Sequence, residues 1–443
     1  MELYDTSDTQ KPAIFAAKTA ILQNKAALFR LFAANTISGA AQGISMLAVP
    51  WYFADQLKQI TVFNQIYAVA TLVSLFWGLY AGTLIDRYSR KGIFLAENLV
   101  GALVLLGIAA IGFAQGGLPV FLVAMVFVVT FFNYNIHYPA LYAFAQEISS
   151  PKDYGKITSY LEIQGQFTNA LAGGLAAVLL SGITEGSVTW LGYTLHVPFA
   201  FERWSMQQVF LLDGITYLLS FVLILSIRYT PQAQRHTEKM PLYHRVKAGF
   251  IFLHNNPMLL VFGNFSYFVF VTTMVLNFVL MPNFVKNYLA ASANAYAIGD
   301  AAFAVGAIVA GLVVARLFSR QATVLGSISM ALLSASAFGV LMFNRQVGVY
   351  YLMTFLLGLA NAGARILRIT YLFNHVPNQI IGRTGSVFQV ANVLMRFGFI
   401  GLLSGAFFVA HIEYAFLTMS LLCLTGAAVL AFFYRRLVAL HQS

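Results

Sequence analysis

The chain has 443 residues, of which 59% are hydrophobic and only 9% charged, and its formal net charge is +11. Soluble domains average about 45–50% apolar and about 25% charged residues, so a polytopic membrane protein follows, with no room for a sizeable soluble domain. The one cysteine, Cys423, sits in an apolar run, which leaves disulfides no part. The cations are spread along the chain rather than gathered on a module, which excludes nucleic acid as their partner.

In chain order, residues 1–25 form a cytoplasmic N-terminal segment, polar and then mildly amphipathic, with Lys11, Lys18 and Lys25 around Ile14, Phe15, Ile21 and Leu22. This reads as a short helix lying on the membrane face. No apolar core with a small-residue cleavage site marks a signal peptide. Twelve runs follow, at 26–53, 61–85, 92–114, 118–145, 156–183, 208–227, 256–283, 291–317, 322–343, 347–372, 382–409 and 413–435. Each can cross about 30 Å of hydrocarbon, which takes roughly 20 helical residues. Backbone groups in lipid must be satisfied internally, so these runs are helices. The short alternating segments of a membrane barrel are absent.

Two connections exceed a tight turn. Residues 184–207 carry aromatics and read as an outer interfacial segment. Residues 228–255, with Pro231, Pro241, Arg228, Arg235, Lys239, Arg245 and Lys247, read as a cytoplasmic linker between two six-helix halves, 26–227 and 256–435, leaving 436–443 as a cytoplasmic tail. Of 26 Lys and Arg, only Lys58, Arg203, Lys286 and Arg345 fall outside when both termini are placed inside, and Arg396 lies within a helix. That bias sets the orientation.

One loop stands out. Gly82-Thr-Leu-Ile-Asp86-Arg87-Tyr-Ser-Arg90-Lys91-Gly92 packs an acid and three cations between two apolar runs. A positive loop explains the cations but neither the Asp nor the glycine. A degenerate repeat, Gly311-Leu-Val-Val-Ala315-Arg316-Leu-Phe-Ser-Arg320, lies at the equivalent loop of the second half, with Ala315 in place of the Asp. The first stretch resembles the G-x-L-x-D-R-x-x-R-K signature of the major facilitator superfamily. Pro139-Ala-Leu-Tyr-Ala-Phe-Ala-Gln-Glu147, Asp213-Gly-Ile-Thr-Tyr-Leu-Leu-Ser and Ile381-Gly-Arg383 are similar to its drug:proton antiporter family 3 branch, which holds macrolide-efflux and enterobactin-exporter proteins.

The resemblance implies an all-α membrane protein of twelve transmembrane helices in two six-helix halves. It implies a secondary transporter that alternates access and exports a bulky amphipathic or siderophore-like small molecule in exchange for protons. A multi-pass protein of a bacterial inner membrane, working as a monomer, is expected. The motif's Asp86 is expected to dock on the helix N-terminus near Gly382 to Ser386, where free N–H groups favour an anion, with Arg383 beside it. Arg87 or Arg90 is expected to meet Glu147. Gly82, Asp86, Arg87, Arg90, Lys91, Glu147, Arg316, Arg320 and Arg383 thus form the expected gate.

Charged side chains in hydrocarbon are expensive and usually line a cavity. Those within the runs are Glu97, Glu162, Asp213, Asp300, Arg365, Arg368 and Arg396, with Glu97 and Asp213 nearest to helix ends. A proton-driven carrier needs a carboxylate whose proton affinity changes as a nearby Arg approaches and withdraws. Asp300 with Arg396, or Glu162 with Arg365 or Arg368, suit that role; a permanent ion pair tying helices together is the alternative for each. Asn35, Ser38, Gln42, Asn133, Tyr134, His137, Gln166, Asn264, Asn361, Gln389 and Asn392 are the expected substrate-cavity residues, although interhelical hydrogen bonding is the commoner use of such groups. Scattered histidines without H-E-x-x-H, and the lack of a P-loop, point away from an enzyme and from ATP drive, so no cofactor or metal is expected beyond the proton gradient. A lipid or lysolipid flippase or a metal exporter on the same fold stays as an alternative.

Overall fold

The computed structural model describes residues 7–149, 154–182, 188–190, 193–195, 201–229, 242–318, 322–377 and 380–439. The first half comprises α1 (Ser7–Asp55), α2 (Ile60–Arg87), α3 (Arg90–Gln115), α4 (Val120–Ile148), α5 (Tyr154–Ser181) and α6 (Met206–Leu225). The second comprises α8 (Pro257–Tyr288), α9 (Ala293–Leu317), α10 (Thr323–Phe343), α11 (Val347–His375), α12 (Ile381–Leu403) and α13 (Ile412–Phe432). Between them lies α7 (Leu242–Asn255). Ten of these helices are long and apolar enough to cross a membrane. Helices α1 and α5 are as long; Asn35, Ser38, Gln42 and Ser45 on the one and Gln164, Gln166 and Asn169 on the other dilute their apolarity. Large apolar side chains such as Phe76, Phe121, Phe343 and Phe432 face outward, as a lipid solvent requires.

Three local features depart from the sequence reading. Helix α1 runs unbroken from Ser7, so the expected separate interfacial helix is its first turns. The outer connection carries a short antiparallel hairpin, β1 (Val188–Trp190) with β2 (Tyr193–Leu195). Helix α8 is irregular: α-helical to Val275 with a break at Tyr267, it contains π-helical turns at Leu276–Leu280 and Phe284–Tyr288. Such turns widen the helix by one residue and concentrate at functional positions.

The charged loop has a clear local logic. Ser89 caps α3, its hydroxyl accepting from the Gly92 N–H at 3.0 Å. A Cβ at Gly92 would lie 2.6 Å from that hydroxyl, so a larger residue there displaces the capping side chain. Lys91 donates to the carbonyls of Leu225 and Ile227, and Arg30 to that of Ser226. These cations satisfy the C-terminal end of α6, where carbonyls lack helical partners.

Within the first half α1 packs on α5, α6 and α4, α3 on α6 and α4, and α2 on α4; within the second, α11 packs on α9 and α10, and α10 on α13. The halves meet through α5 against α9 and α2 against α12. Their apolar cores are distributed unequally. At the end far from the termini one cluster joins both halves, from Ile44, Trp51, Phe63, Phe127 and Phe210 to Leu280, Phe284, Tyr296, Phe338 and Phe416. Trp51 stacks on Tyr296 at 5.4 Å, Tyr67 packs on Phe278 at 4.9 Å, and Lys286 pairs with Asp55. At the termini end the cores are separate: Leu31, Phe94, Phe144 and Ile224 in the first half, Leu253, Phe262, Tyr371 and Leu437 in the second. Among the described residues no apolar cluster bridges the halves there. The bundle is sealed at one end and divided at the other.

Candidate functional site

The first half carries a chain of buried polar groups across three helices. Glu97 on α3 and His137 on α4 meet at 2.6 Å, Oε1 to Nδ1, and His137 Nε2 lies 2.5 Å from Asn35 Oδ1 on α1. Phe94 and Tyr138 edge the imidazole, at 5.2 Å and 5.5 Å between ring centres. Both ring nitrogens lie at hydrogen-bond distance from an oxygen, and the Asn35 amide can present either its oxygen or its NH2 to Nε2, so the network accommodates either tautomer. Glu97 Oε2 has no hydrogen-bond partner and is buried. Nearby, Asn133 donates to the Tyr217 hydroxyl at 3.0 Å, and Ser45 donates to Asp213 at 2.6 Å, with Asp213 fully buried on α6.

At the seam between the halves α2 faces α12. The Tyr67 hydroxyl interacts with the Thr71 hydroxyl and the Arg396 guanidinium, with Tyr134 close by. Arg396 and Asn392 are buried on α12, and their Nε and Nδ2 groups lack hydrogen-bond acceptors. Opposite them on α2, Asn64, Tyr67 and Thr71 recur at i, i+3 and i+7, one helical face, and the Asn64 carboxamide oxygen is buried without a donor.

The remaining expected residues divide clearly. Asp300 is half-buried on α9 beside Tyr296 and Tyr350, and no ion pair joins it to Arg396 or to any other described cation. Arg368 stacks on the Tyr267 ring at 3.6 Å and donates to the Ser266 carbonyl. The side chains of Gly82, Asp86, Arg87 and Glu162 lie outside the described set, as does Arg320, so the expected Glu162 pairs and Asp86 dock stand there too. Arg90 Nη1 lies 3.3 Å from Glu147, whose carboxylate also accepts from the Tyr229 hydroxyl. In this state Arg90 and Lys91 thus bind within their own half. Arg316 is exposed, and Arg383 begins α12 against Gly249 of α7, where a Cβ would meet the Arg383 carbonyl at 2.3 Å. Ser38 and Asn264 bond carbonyls of their own helices. Gln42 is buried, Gln166 half-buried, Gln389 exposed, and Asn361 Oδ1 is buried without a partner.

Two helical halves around a polar seam, sealed at one end only, define a membrane transporter. The chain belongs to the Major Facilitator Superfamily, whose sequence pattern it matches over residues 31–400. It is 22% identical over 324 residues to "Macrolide efflux protein A" of Streptococcus pyogenes, covering 72% of this chain and 74% of that protein. Its fold is similar to the crystal structures of a point mutant of the nucleoside transporter NupG (TM-score 0.66, 13% identity, 92% and 100% of the two chains) and of a bacterial homologue of the iron transporter ferroportin in an inward-facing state (TM-score 0.65, 12% identity, 92% and 98%). At these identities the structures show the fold alone.

Proposed function

We propose that this transporter exports a bulky amphipathic or siderophore-like small molecule across a bacterial inner membrane, by alternating access and in exchange for protons. The observation that carries the alternation is the apolar core shared by both halves at one end and split at the other. With both termini in the cytoplasm, as the Lys and Arg distribution favours, the structure opens inward. Opening outward then requires Trp51 to leave Tyr296 and Asp55 to leave Lys286, while Asp86, Arg87, Arg90 and Lys91 tie the cytoplasmic side to Arg383. The similarity to a macrolide efflux protein supports export. For a metal cargo, three or more grouped donors would be needed, and the described residues hold no such group of His, Cys, Asp and Glu.

Proton exchange needs a buried group that gains and loses a proton as access changes. Glu97–His137–Asn35 suits this best, because its amide adapts to either state and the chain spans three helices of the moving half. Asp300, without a cation among the described residues, is the second candidate, and Glu162 the third. The test is efflux of erythromycin and of a catecholate siderophore from proteoliposomes under an imposed pH gradient. Wild type is expected to follow the gradient, and Glu97→Gln to exchange substrate passively without responding to it, with Asp300→Asn and Glu162→Gln run beside it. Wild-type transport that is indifferent to the gradient would sink the coupled reading and favour a facilitator or lipid flippase.

A further inference from the structure

Arg396 is the most unusual charge in the membrane part of this chain. It lies mid-helix on α12, about 22 Å from the helix start by rise per residue, and only 8% of its surface is exposed. Charges so placed are normally paired, because desolvation without a partner is costly. No carboxylate among the described residues pairs with it. Helix α12 has no acid, and neither does α8; α4 has only Glu147, which is held by Arg90 at the termini end. Helix α2 has only Asp86, fifteen residues beyond Thr71 and so about another 22 Å away. The groups beside Arg396 are neutral: Asn392 one turn below, and Tyr67 with Thr71 across the seam. Two buried donors, Arg396 Nε and Asn392 Nδ2, have no hydrogen-bond acceptor. Tyr134, about half exposed on α4, stands near Tyr67 and offers an aromatic wall beside the cluster.

A buried cation with unused donors on its own helix face and no acid beside it is the complement of an anion. Its position matters equally, since α2 and α12 belong to opposite halves, so a ligand there touches both parts of the alternating machine. We propose that the α2–α12 seam is the headgroup site of the transported molecule, and that this molecule is an anionic amphiphile whose carboxylate or phosphate sits against Arg396, Asn392 and Tyr67 with its apolar body along Tyr134. The proposal rests on the transporter reading and narrows its substrate to the acidic members of the amphipathic class. A guanidinium with neighbouring amide and hydroxyl donors suits both oxyanions.

The test is a binding titration on the full chain in nanodiscs, which needs neither a gradient nor turnover. The probe is dansyl-undecanoic acid, compared with its methyl ester and with the amine of the same length. Wild type is expected to bind the acid at least tenfold more tightly than the ester or the amine. Arg396→Gln is expected to erase that preference while leaving ester binding unchanged, and Arg396→Lys to restore part of it. Asn392→Ala, a milder change, should weaken the acid alone by about threefold. Laurate and dodecyl phosphate are expected to displace the probe and so rank the two headgroups. Equal binding of acid and ester by wild type, or an acid preference that survives in folded Arg396→Gln, would overturn the site. Displacement by inorganic phosphate at the same concentration as dodecyl phosphate would overturn the amphiphile. Loss of gradient-driven transport with the acid preference intact would overturn proton coupling and support the site.

Discussion

A buried charge is judged by what happens when its partner is removed. His137 holds Glu97 at 2.6 Å in a site where both are nearly fully covered. Removing one member of such a pair typically costs about 3–5 kcal/mol, whereas replacing both costs far less. His137→Gln should therefore lower the thermal midpoint in detergent markedly, and Glu97→Gln with His137→Gln should recover much of the loss. A double variant whose shift equals the sum of the single ones would mean that the two side chains are not coupled. This site was only half legible in the sequence. Asn35, His137 and Glu97 each stand out as polar residues in apolar runs, yet their meeting depends on the rotation of three helices about their axes. Counting residues from the end of α3 also makes Glu97 look interfacial, whereas only 8% of it is exposed. Asn64 and Thr71 were missed altogether, although their i, i+3, i+7 spacing with Tyr67 marks a polar face on α2.

Among the helices, α9 and α11 approach most closely. A Cβ at Gly306 would lie 2.0 Å from the Phe355 carbonyl, and one at Gly358 2.0 Å from that of Phe303. Backbone cannot yield as a side chain can, and small residues at such crossings are how membrane helices gain contact without a hydrophobic drive. Gly306→Ala and Gly358→Ala should each cost about 1–3 kcal/mol and reduce the folded fraction in fluorescence-detected gel filtration. Gly311→Ala meets open space and should change stability by no more than about 0.5 kcal/mol. Equal losses at all three positions would refute close backbone packing as the cause. The helices themselves were readable because lipid forces about twenty apolar residues in a row, and the Ser89 cap is written into the charged loop. The π-helical turns of α8 left no such trace, since they change hydrogen-bond partners without changing composition.

For the whole molecule, alternation makes a physical demand on the sealed end. Asp55→Cys with Lys286→Cys replaces an ion pair that joins the halves, and Cys423 is fully buried and can remain. A reducible bis-methanethiosulfonate cross-linker spanning this pair should stop substrate exchange, with reductant restoring it. Transport persisting in fully cross-linked protein would refute opening at that end. The other end raises a different matter, the status of the connection between the halves. Helix α7 packs along α12, and its Leu253 is fully buried among Leu259, Phe262 and Tyr371 of the second half. It is a brace belonging to that half rather than a tether slung between two. The polypeptide therefore need not be continuous: fragments 1–229 and 242–443, synthesised separately in one cell, should assemble into an active carrier, whereas beginning the second fragment at residue 256 should not.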